Sequence, residues 1–442
     1  MLFNRKSLIN LMVPLILEQI FLGTIGIADM VMVAPVGETA ISGISLVNSI
    51  NMLFQSMFSA LAAGGGILAS QYLGKRERDH ANGTARQLLV LSLCFSAAIA
   101  AVCCAGNQWF LRRLFPTAEA AVLKEAVTYF YLSALAYPCI MVFDACGALF
   151  RGMGESRIPL CGSSLMCVGN IFLNAIFIFG LDWGVFGAGF ASLCAKAIGT
   201  ALLLWFLSKR RFSISLRHMA GLRAEPVILK NIFRLAVPMA MEDGIFHVGK
   251  LLVQGVVTSY GTTAIAANAV ALTVADFTQM PVYAIGLGLT TVVGQCIGAG
   301  ETGQARRYAG NILKVSFVLA AVLSAATFIG AEPIARLYQL TQETKETTMS
   351  LIRFHALICG TVWVCAFNIP CVLRAASDVN FNLAVSIFSM WLFRVGFSYV
   401  FRETTDIGVL SVWMAMGMDW LFRGAVYMAR FLNGAWLHKR FI

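Results

Sequence analysis

The sequence predicts an all-α polytopic membrane protein with twelve transmembrane helices, arranged as two six-helix repeats, an N-lobe and a C-lobe. Three observations lead to this prediction. The 442 residues are 59% hydrophobic and only 12% charged, whereas soluble domains carry about 25% charged residues. Twelve apolar runs are long enough to cross the hydrocarbon core of a bilayer, which takes about 20 helical residues. In addition, the first half of the chain is repeated in the second half.

The connections between the apolar runs are short, and none is long enough to form a soluble domain. Most of their Lys and Arg residues follow even-numbered runs, which indicates that these connections and both termini are cytoplasmic. We therefore expect a multi-pass membrane protein with both termini in the cytoplasm. The predicted spans are residues 8–33, 43–73, 87–108, 127–150, 158–180, 185–207, 229–258, 264–298, 309–330, 349–373, 381–401 and 407–431.

The internal repeat aligns residues 14–74 with residues 238–298 without a gap. Pro14 and Glu18 match Pro238 and Glu242, and Gln71 matches Gln295. Because each repeat has six spans, both halves share one orientation, so their pseudo-two-fold axis should run along the membrane normal. In transporters built this way the substrate path lies between the halves near mid-membrane.

A basic connection separates the two repeats. We assign residues 1–208 to the N-lobe with helices one to six, residues 209–228 to a cytoplasmic basic linker, and residues 229–442 to the C-lobe with helices seven to twelve.

The first span carries Pro14, Glu18 and Asp29 on one stripe of a helix. Carboxylates inside a membrane span are costly and by default face protein or water, where they mark ion or substrate sites. Pro14 has no N–H for the carbonyl of Asn10 and should kink the helix, and Pro238 should do the same in the second repeat. The alternative for either acid is a buried carboxylate that a neighbouring side chain satisfies.

Span seven has the densest polar face, with Asp243, His247 and Lys250 at helical spacing and Glu242 beside them. We expect this face to border the central cavity. An internal ion pair between Asp243 and Lys250, which would let the helix pack, is equally compatible with the sequence because intramembrane charges usually pair.

Other spans carry polar residues that either line the cavity or join helices by hydrogen bonds. Joining helices is the expected role of an amide, whereas a carboxylate is costly in that role. Lys196, Arg394, Asp419 and Arg423 are near enough to span ends to snorkel or pair. The candidate cavity residues in these spans are Gln55 in span two, Asn170 and Asn174 in span five, and Asp276 and Gln279 in span eight.

The sequence contains no pattern for ATP hydrolysis or for intramembrane catalysis, so we expect neither an enzyme nor a resident cofactor. The net charge of +11 is explained by cytoplasmic loops, and we expect no nucleic-acid partner. The twelve Cys residues lie mostly within apolar runs, and we expect no disulfide framework and no cysteine metal site.

Several of these residues resemble a known family. Pro14 with Asp29, Gln71-x-x-Gly74, Arg151-Gly152-x-Gly154, Asn170 and Gln295-x-x-Gly298 occur in the order and spacing of the multidrug and toxic-compound extrusion (MATE) family, and the resemblance is closest to its DinF-like bacterial branch. It covers nearly the whole chain and implies a multi-pass protein of the bacterial cytoplasmic (inner) membrane. It implies two six-helix lobes that open alternately to either side of the membrane.

The resemblance also implies a function, namely secondary active antiport that exports cationic or amphipathic organic compounds in exchange for H⁺ or Na⁺. Asp29 stands at the family's ion-binding acid and Asn170 at its helix-five asparagine. The family often has Asp-Pro four residues later, but this chain has Asn174-Ala175. The implied Na⁺ ligands are therefore Asp29, Asn170 and Asn174, and we hypothesise that Glu18 restores a second acid to the cavity.

Some questions stay open from sequence alone. The coupling ion is H⁺ or Na⁺, and we expect small cationic substrates and a monomer in the lipid bilayer. One alternative function is a lipid-linked oligosaccharide flippase, whose cationic cavity would use residues such as His247 and Lys250. Another alternative is a membrane protein that transports nothing.

Overall fold

The computed structural model describes residues 2–116, 118–209, 211–215, 225–338 and 340–438, and within these ranges the regular structure is entirely helical. The α-helices are α1 (Arg5–Val33), α2 (Glu38–Gly74), α3 (Arg78–Leu114), α4 (Ala120–Gly152), α5 (Arg157–Asn174), α6 (Gly184–Leu207), α7 (Pro226–Thr258), α8 (Thr262–Gly298), α9 (Thr302–Ile329), α10 (Ala331–Leu337), α11 (Gln342–Ile358), α12 (Val364–Ala375), α13 (Val379–Ser389), α14 (Phe397–Thr404) and α15 (Leu410–Leu432).

These helices form twelve long helical segments, one for each predicted span, so the predicted all-α fold is confirmed. Two segments consist of two α-helices joined by a π-helical turn, Cys359–Trp363 between α11 and α12 and Met390–Gly396 between α13 and α14. A third π-helical turn, Ala175–Gly180, continues α5. Most segments exceed the predicted spans because the helix continues into polar flanks, as α3 does by beginning at Arg78.

Ten of the twelve segments are long and apolar enough to cross a membrane. The other two, α7 and α15, are long but carry charged residues along their length, including Glu242, Asp243 and Lys250 in α7 and Asp419 and Arg423 in α15. Intramembrane charges of this kind are tolerated where they face protein or water. The chain is a multi-pass membrane protein.

The chain divides into two compact units, Asn4–Ala240 and Met241–Ile442, the second joined by Met1–Phe3. This division lies inside α7, whereas the sequence places the boundary at residues 209–228. Of these linker residues, 210 and 216–224 lie outside the described residues. The reason is packing: an added Cβ at Gly64 of α2 would lie 3.0 Å from Ala236 of α7. The first turns of α7 therefore belong to the first unit by contact, although they belong to the second repeat by sequence.

The first helix of the N-lobe shows how Pro14 is accommodated. Pro14 lies inside α1 and leaves the carbonyl of Asn10 without its usual N–H partner. Ser156, which is buried in the connection between α4 and α5, donates its hydroxyl to the carbonyls of Asn10 at 3.2 Å and Leu11 at 2.7 Å. The backbone freed by the proline is thus satisfied from another part of the same lobe.

Candidate functional site

The N-lobe encloses Asp29 in a hydrogen-bonded group from α5 and α6. Asn174 donates its side-chain amide to Asp29 Oδ1 at 2.6 Å, and Ser192 donates its hydroxyl to Oδ2 at 3.0 Å. Asn170 donates to Ser192 at 3.0 Å and accepts from Asn174 at 3.2 Å. All four side chains are buried. The structure therefore brings together the three residues that the sequence selects as Na⁺ ligands, and adds Ser192.

One oxygen of this group has no partner. The side-chain carbonyl Oδ1 of Asn174 is buried and accepts no hydrogen bond, while the amide nitrogen of the same side chain is bonded to Asp29. A buried acceptor left unpaired costs roughly 1–3 kcal/mol. An uncoordinated amide oxygen beside a carboxylate can be satisfied by a proton donor or by a hard cation, which prefers oxygen ligands.

Lys196 and Tyr129 also act on Asp29. Lys196 lies one turn after Ser192 on α6 and its ammonium group interacts favourably with the Asp29 carboxylate. Tyr129 of α4 is buried, and its hydroxyl lies close enough to the same carboxylate to interact with it electrostatically. The sequence places Lys196 near a span end, whereas the structure gives it a partner in the hydrogen-bonded group around Asp29. A lysine inside an apolar span was the available signal.

Glu18 has a different environment from Asp29, although both lie on α1. Its carboxylate is only 1% exposed and accepts a hydrogen bond from the Arg151 guanidinium at 2.9 Å. Asp144, two turns before Arg151 on α4, accepts a hydrogen bond from Gln55 at 2.7 Å and interacts electrostatically with Arg151. Glu18 and Gln55 thus belong to an arginine-centred group, and the participation of Glu18 in ion coupling stays a prediction.

The C-lobe contains a corresponding ion pair. Glu242 is buried, lies 2.9 Å from the Arg374 guanidinium and accepts the hydroxyl of Ser386 at 2.7 Å. Arg374 also interacts with Asp243. Glu242 is the repeat partner of Glu18, and Arg374 stands at the corresponding end of the fourth helix of its repeat. Each lobe therefore holds one buried Glu–Arg pair beside the proline of its first helix.

The ion pair between Asp243 and Lys250, which the sequence left open as an alternative, is not formed in the structure, because the two residues have different charged neighbours. Asp243 interacts with Arg374, whereas Lys250 interacts with Asp276 of α8 and Arg394. Helical spacing puts Asp243 and Lys250 on one face, but other helices supply nearer charges.

Two further predicted residues of the C-lobe differ in their contacts. Gln279 donates its amide to His355 Nε2 at 2.6 Å, which joins α8 to α11. His247 lies near Lys250 and is partly buried. Gln279 therefore joins two helices by a hydrogen bond, which is the role that the sequence favours for an amide.

A buried charged group in the C-lobe involves residues that the sequence left as candidates for snorkelling or pairing. Asp419 accepts a hydrogen bond from Arg423 at 2.9 Å and another from Ser389, and it lies 3.8 Å from Arg394. Asp419 is fully buried. The signal was three charged residues within apolar spans, but sequence spacing alone does not show that α15 and the π-helical turn Met390–Gly396 bring them together.

Comparison with known proteins identifies the family. A MatE family model matches residues 14–176 and again residues 238–400. The chain belongs to the MatE family. The two matches begin at Pro14 and Pro238, the same pair that opens the internal repeat, so each half of this chain is one copy of the family's domain. The resemblance to MATE proteins is thereby confirmed.

Relatives and solved structures cover almost the whole of this MatE chain. It is 24% identical to the "Probable multidrug resistance protein NorM" of Thermotoga maritima, over 98% of this chain and 93% of that protein. It is also 24% identical to the multidrug resistance protein MdtK of Yersinia pseudotuberculosis, over 99% and 96%.

Two solved structures share the fold. One is described as the outward-facing conformation of a multidrug resistance MATE family transporter of the MOP superfamily, with a TM-score of 0.92, 19% identity and coverage of 98% and 97%. The other, a MOP superfamily transporter from Pyrococcus furiosus described as having a binding pocket of reverse polarity, has a TM-score of 0.91, 19% identity and the same coverage. At these identities the likeness shows the fold alone.

Proposed function

We propose that this protein is a secondary active antiporter that exports cationic or amphipathic organic compounds in exchange for H⁺ or Na⁺ by alternating access. The observation that carries the proposal is the buried Asp29 carboxylate with the unpartnered Asn174 oxygen beside it. Among the described residues, no charged group pairs with Asp29 at hydrogen-bond distance. Burying such a carboxylate in a membrane protein is costly, and acids retained there by default mark an ion or substrate site. The names of the relatives, multidrug resistance proteins, support the export of organic compounds.

The proposed mechanism is competition at Asp29. An ionised Asp29 favours the state that holds a cationic substrate, and an entering proton or sodium ion neutralises the carboxylate. Sodium would take oxygen ligands from Asp29, Asn170 and Asn174, whereas a proton would bind Asp29 itself. Only a ligand with different affinities for the two conformations shifts their equilibrium, so ion binding must favour the state that releases substrate.

The protein would act in the bacterial cytoplasmic membrane as a monomer, with both termini in the cytoplasm. The distribution of Lys and Arg in the connections supports this orientation. The linker at residues 209–228 has no cysteine of its own, so the test introduces one, for example by Ser213→Cys, and compares its labelling in intact cells and in everted vesicles. Labelling that is confined to everted vesicles is the expected result.

The decisive experiment is dye transport in everted vesicles, with the proton gradient and the sodium gradient imposed separately. Wild-type protein should accumulate the cationic dye ethidium under at least one gradient. Asp29→Asn should abolish gradient-driven accumulation while the protein remains in the membrane. Asp406→Asn is the matched control, because Asp406 is an exposed acid between α14 and α15. Equal transport by wild type and Asp29→Asn would contradict the proposal.

A lipid-linked oligosaccharide flippase is the second candidate. It is favoured by three basic residues of the C-lobe, Lys250, Arg394 and Arg423, whose charged groups lie 5.1–5.2 Å from the centre of the Phe246 ring. Such a substrate carries a pyrophosphate, which cationic side chains bind. The two candidates differ in outcome: ethidium transport that depends on Asp29 supports the drug antiporter and opposes the flippase. A protein that transports nothing would give no accumulation under either gradient.

A further inference from the structure

Three cationic side chains surround one aromatic ring in the C-lobe. The Phe246 ring centre lies 5.1 Å from the Lys250 ammonium, 5.1 Å from the Arg394 guanidinium and 5.2 Å from the Arg423 guanidinium. We call Phe246, Lys250, Arg394 and Arg423 the cationic cluster. A cation within about 6 Å of a ring centre is attracted to the ring, but the cations still repel each other.

The two arginines of the cationic cluster are deeply buried and incompletely bonded. Arg394 is 6% exposed and Arg423 is 3% exposed. Nε of Arg394 and Nη2 of Arg423 have no hydrogen-bond partner. A guanidinium group is a fixed fork of donors that matches the oxygens of a carboxylate or a phosphate. Asp419 Oδ2, which lies 3.8 Å from Arg394, is also buried without a hydrogen-bond partner. The group therefore holds two unpaired donors against one unpaired acceptor, and one acceptor is missing.

The carboxylates near the cationic cluster do not balance it. Among the residues that the structure describes, Asp419 pairs with Arg423 and Arg394, and Asp276 interacts with Lys250. Two negative charges thus face three positive charges. Of the other buried acids in the described part of this lobe, Glu242 and Asp243 are associated with Arg374, and Asp378 pairs with Arg430. An uncompensated buried charge costs several kcal/mol, so one anionic charge would stabilise the cluster.

We infer that the cationic cluster is a binding site for an oxyanion, a carboxylate or phosphate group of an organic ligand. The unpartnered arginine N–H groups would donate to its oxygens, and Lys250, whose side chain is exposed at the lobe surface, would meet the ligand first. The Phe246 ring offers an apolar face to the organic part. The inference goes beyond the proposed export of cationic compounds and does not depend on the coupling ion.

The test compares two dyes that differ in one group. Rhodamine 123 is a cationic methyl ester, and rhodamine 110 is the same xanthene as the free acid. Binding to the purified full-length protein in phosphatidylcholine nanodiscs is measured by fluorescence polarisation, without any ion gradient. Lys250→Gln and Arg394→Gln should each weaken binding of the free acid about tenfold, which is about 1.4 kcal/mol. Binding of the ester should be unchanged or tighter.

Arg353→Gln is the matched control, because Arg353 lies in the same lobe over the Phe328 ring at 5.7 Å and outside the cationic cluster. It should alter neither dye. If Arg394→Gln fails to fold, Lys250→Gln carries the test, since Lys250 forms no ion pair within 4.0 Å among the described residues. Three results would overturn the inference. Both dyes could lose binding equally, the Arg353 and Lys250 variants could have equal effects, or the wild-type protein could fail to bind the free acid.

Competition then identifies the oxyanion. Benzoate and phenyl phosphate are titrated against bound rhodamine 110, and the titration is repeated in nanodiscs that contain phosphatidylglycerol. Displacement of the dye by benzoate indicates a carboxylate ligand, and displacement by phenyl phosphate indicates a soluble phosphate. If neither compound displaces the dye but nanodiscs that contain phosphatidylglycerol bind less of it, the ligand is a lipid headgroup. Rhodamine 110 that none of the three displaces would contradict an oxyanion site.

Discussion

Glu18 and Arg151, 133 residues apart in sequence, form a buried ion pair at 2.9 Å within the N-lobe. The C-lobe repeats the arrangement with Glu242 and Arg374 at 2.9 Å. In each lobe the acid stands one turn after the proline of the first helix. The pair therefore fixes a proline-containing segment to the end of another helix, whatever role either acid has in transport.

Breaking this pair should destabilise the N-lobe strongly. Glu18→Gln leaves the Arg151 guanidinium without its carboxylate, and removing one partner of a buried pair costs about 3–5 kcal/mol. The double variant Glu18→Gln/Arg151→Gln should lose less than the two single losses added together. Unfolding in sodium dodecyl sulfate measures the loss of stability of each variant. Glu38→Gln, which alters an exposed acid at the start of α2, should have no effect, and additive losses would show that the pair is not coupled.

The same variant tests the hypothesis that Glu18 supplies a second acid for ion coupling. If it does, folded Glu18→Gln protein should transport ethidium without dependence on the ion gradient. Coupling equal to that of wild type would assign Glu18 to structure alone.

Ser156 should compensate for the backbone hydrogen bond that Pro14 removes. Ser156→Ala removes the donor to the carbonyls of Asn10 and Leu11, and an unpaired buried carbonyl costs about 1–3 kcal/mol. In a Pro14→Ala background the new N–H can bond the Asn10 carbonyl, so the same serine variant should cost less. Ser208→Ala, which removes an exposed hydroxyl that donates to the Leu204 carbonyl, is the control. Equal costs in both backgrounds would show that Ser156 does not compensate for the proline.

Asn174→Asp should change the ion dependence of transport. The Asn174 amide that donates to Asp29 at 2.6 Å is replaced by a carboxylate, and two adjacent carboxylates cannot both stay ionised without a cation or a shared proton. Ethidium transport should therefore persist at acidic pH, fail at alkaline pH without sodium, and recover when sodium is added. Asn174→Ala removes the hydrogen bond without adding charge and should not show recovery by sodium. If sodium does not restore ethidium transport by Asn174→Asp at alkaline pH, a cation site between residues 29 and 174 is excluded.

Lys196→Met should make the coupling ion bind more tightly. The Lys196 ammonium interacts favourably with Asp29 and so competes with any entering cation. Without it, the ion concentration that gives half-maximal transport should fall about 3–10-fold, because a tenfold change corresponds to about 1.4 kcal/mol. Lys209→Met removes a lysine just beyond the end of the same helix, where it lies over the Trp205 ring, and should leave this concentration unchanged. An increase in the Lys196 variant would mean that the lysine assists ion binding.

The sequence was most informative where one helix carries its own signal. Apolar length predicted the twelve segments, and the repeat beginning at Pro14 and Pro238 predicted the duplication that the family match confirms. The association of Asp29 with Asn170 and Asn174 came from family resemblance, since nothing in residue spacing alone joins α1 to α5. The position of Ser192 in that group was not predicted, because a serine in an apolar span gives no distinctive pattern.

What the sequence determined by itself is therefore which residues are helical, which segments are long and apolar enough to span a membrane and which helix face carries charge, because helical periodicity and hydrophobicity are local properties. Only the tertiary structure decided the partners of those charges. Glu18 lies with Arg151, and the Lys250 ammonium interacts favourably with Asp276. The physical reason is that a charge buried in a medium of low dielectric constant pairs with whichever opposite charge packing brings nearest. That distance depends on how neighbouring helices pack, which spacing along a single helix does not contain.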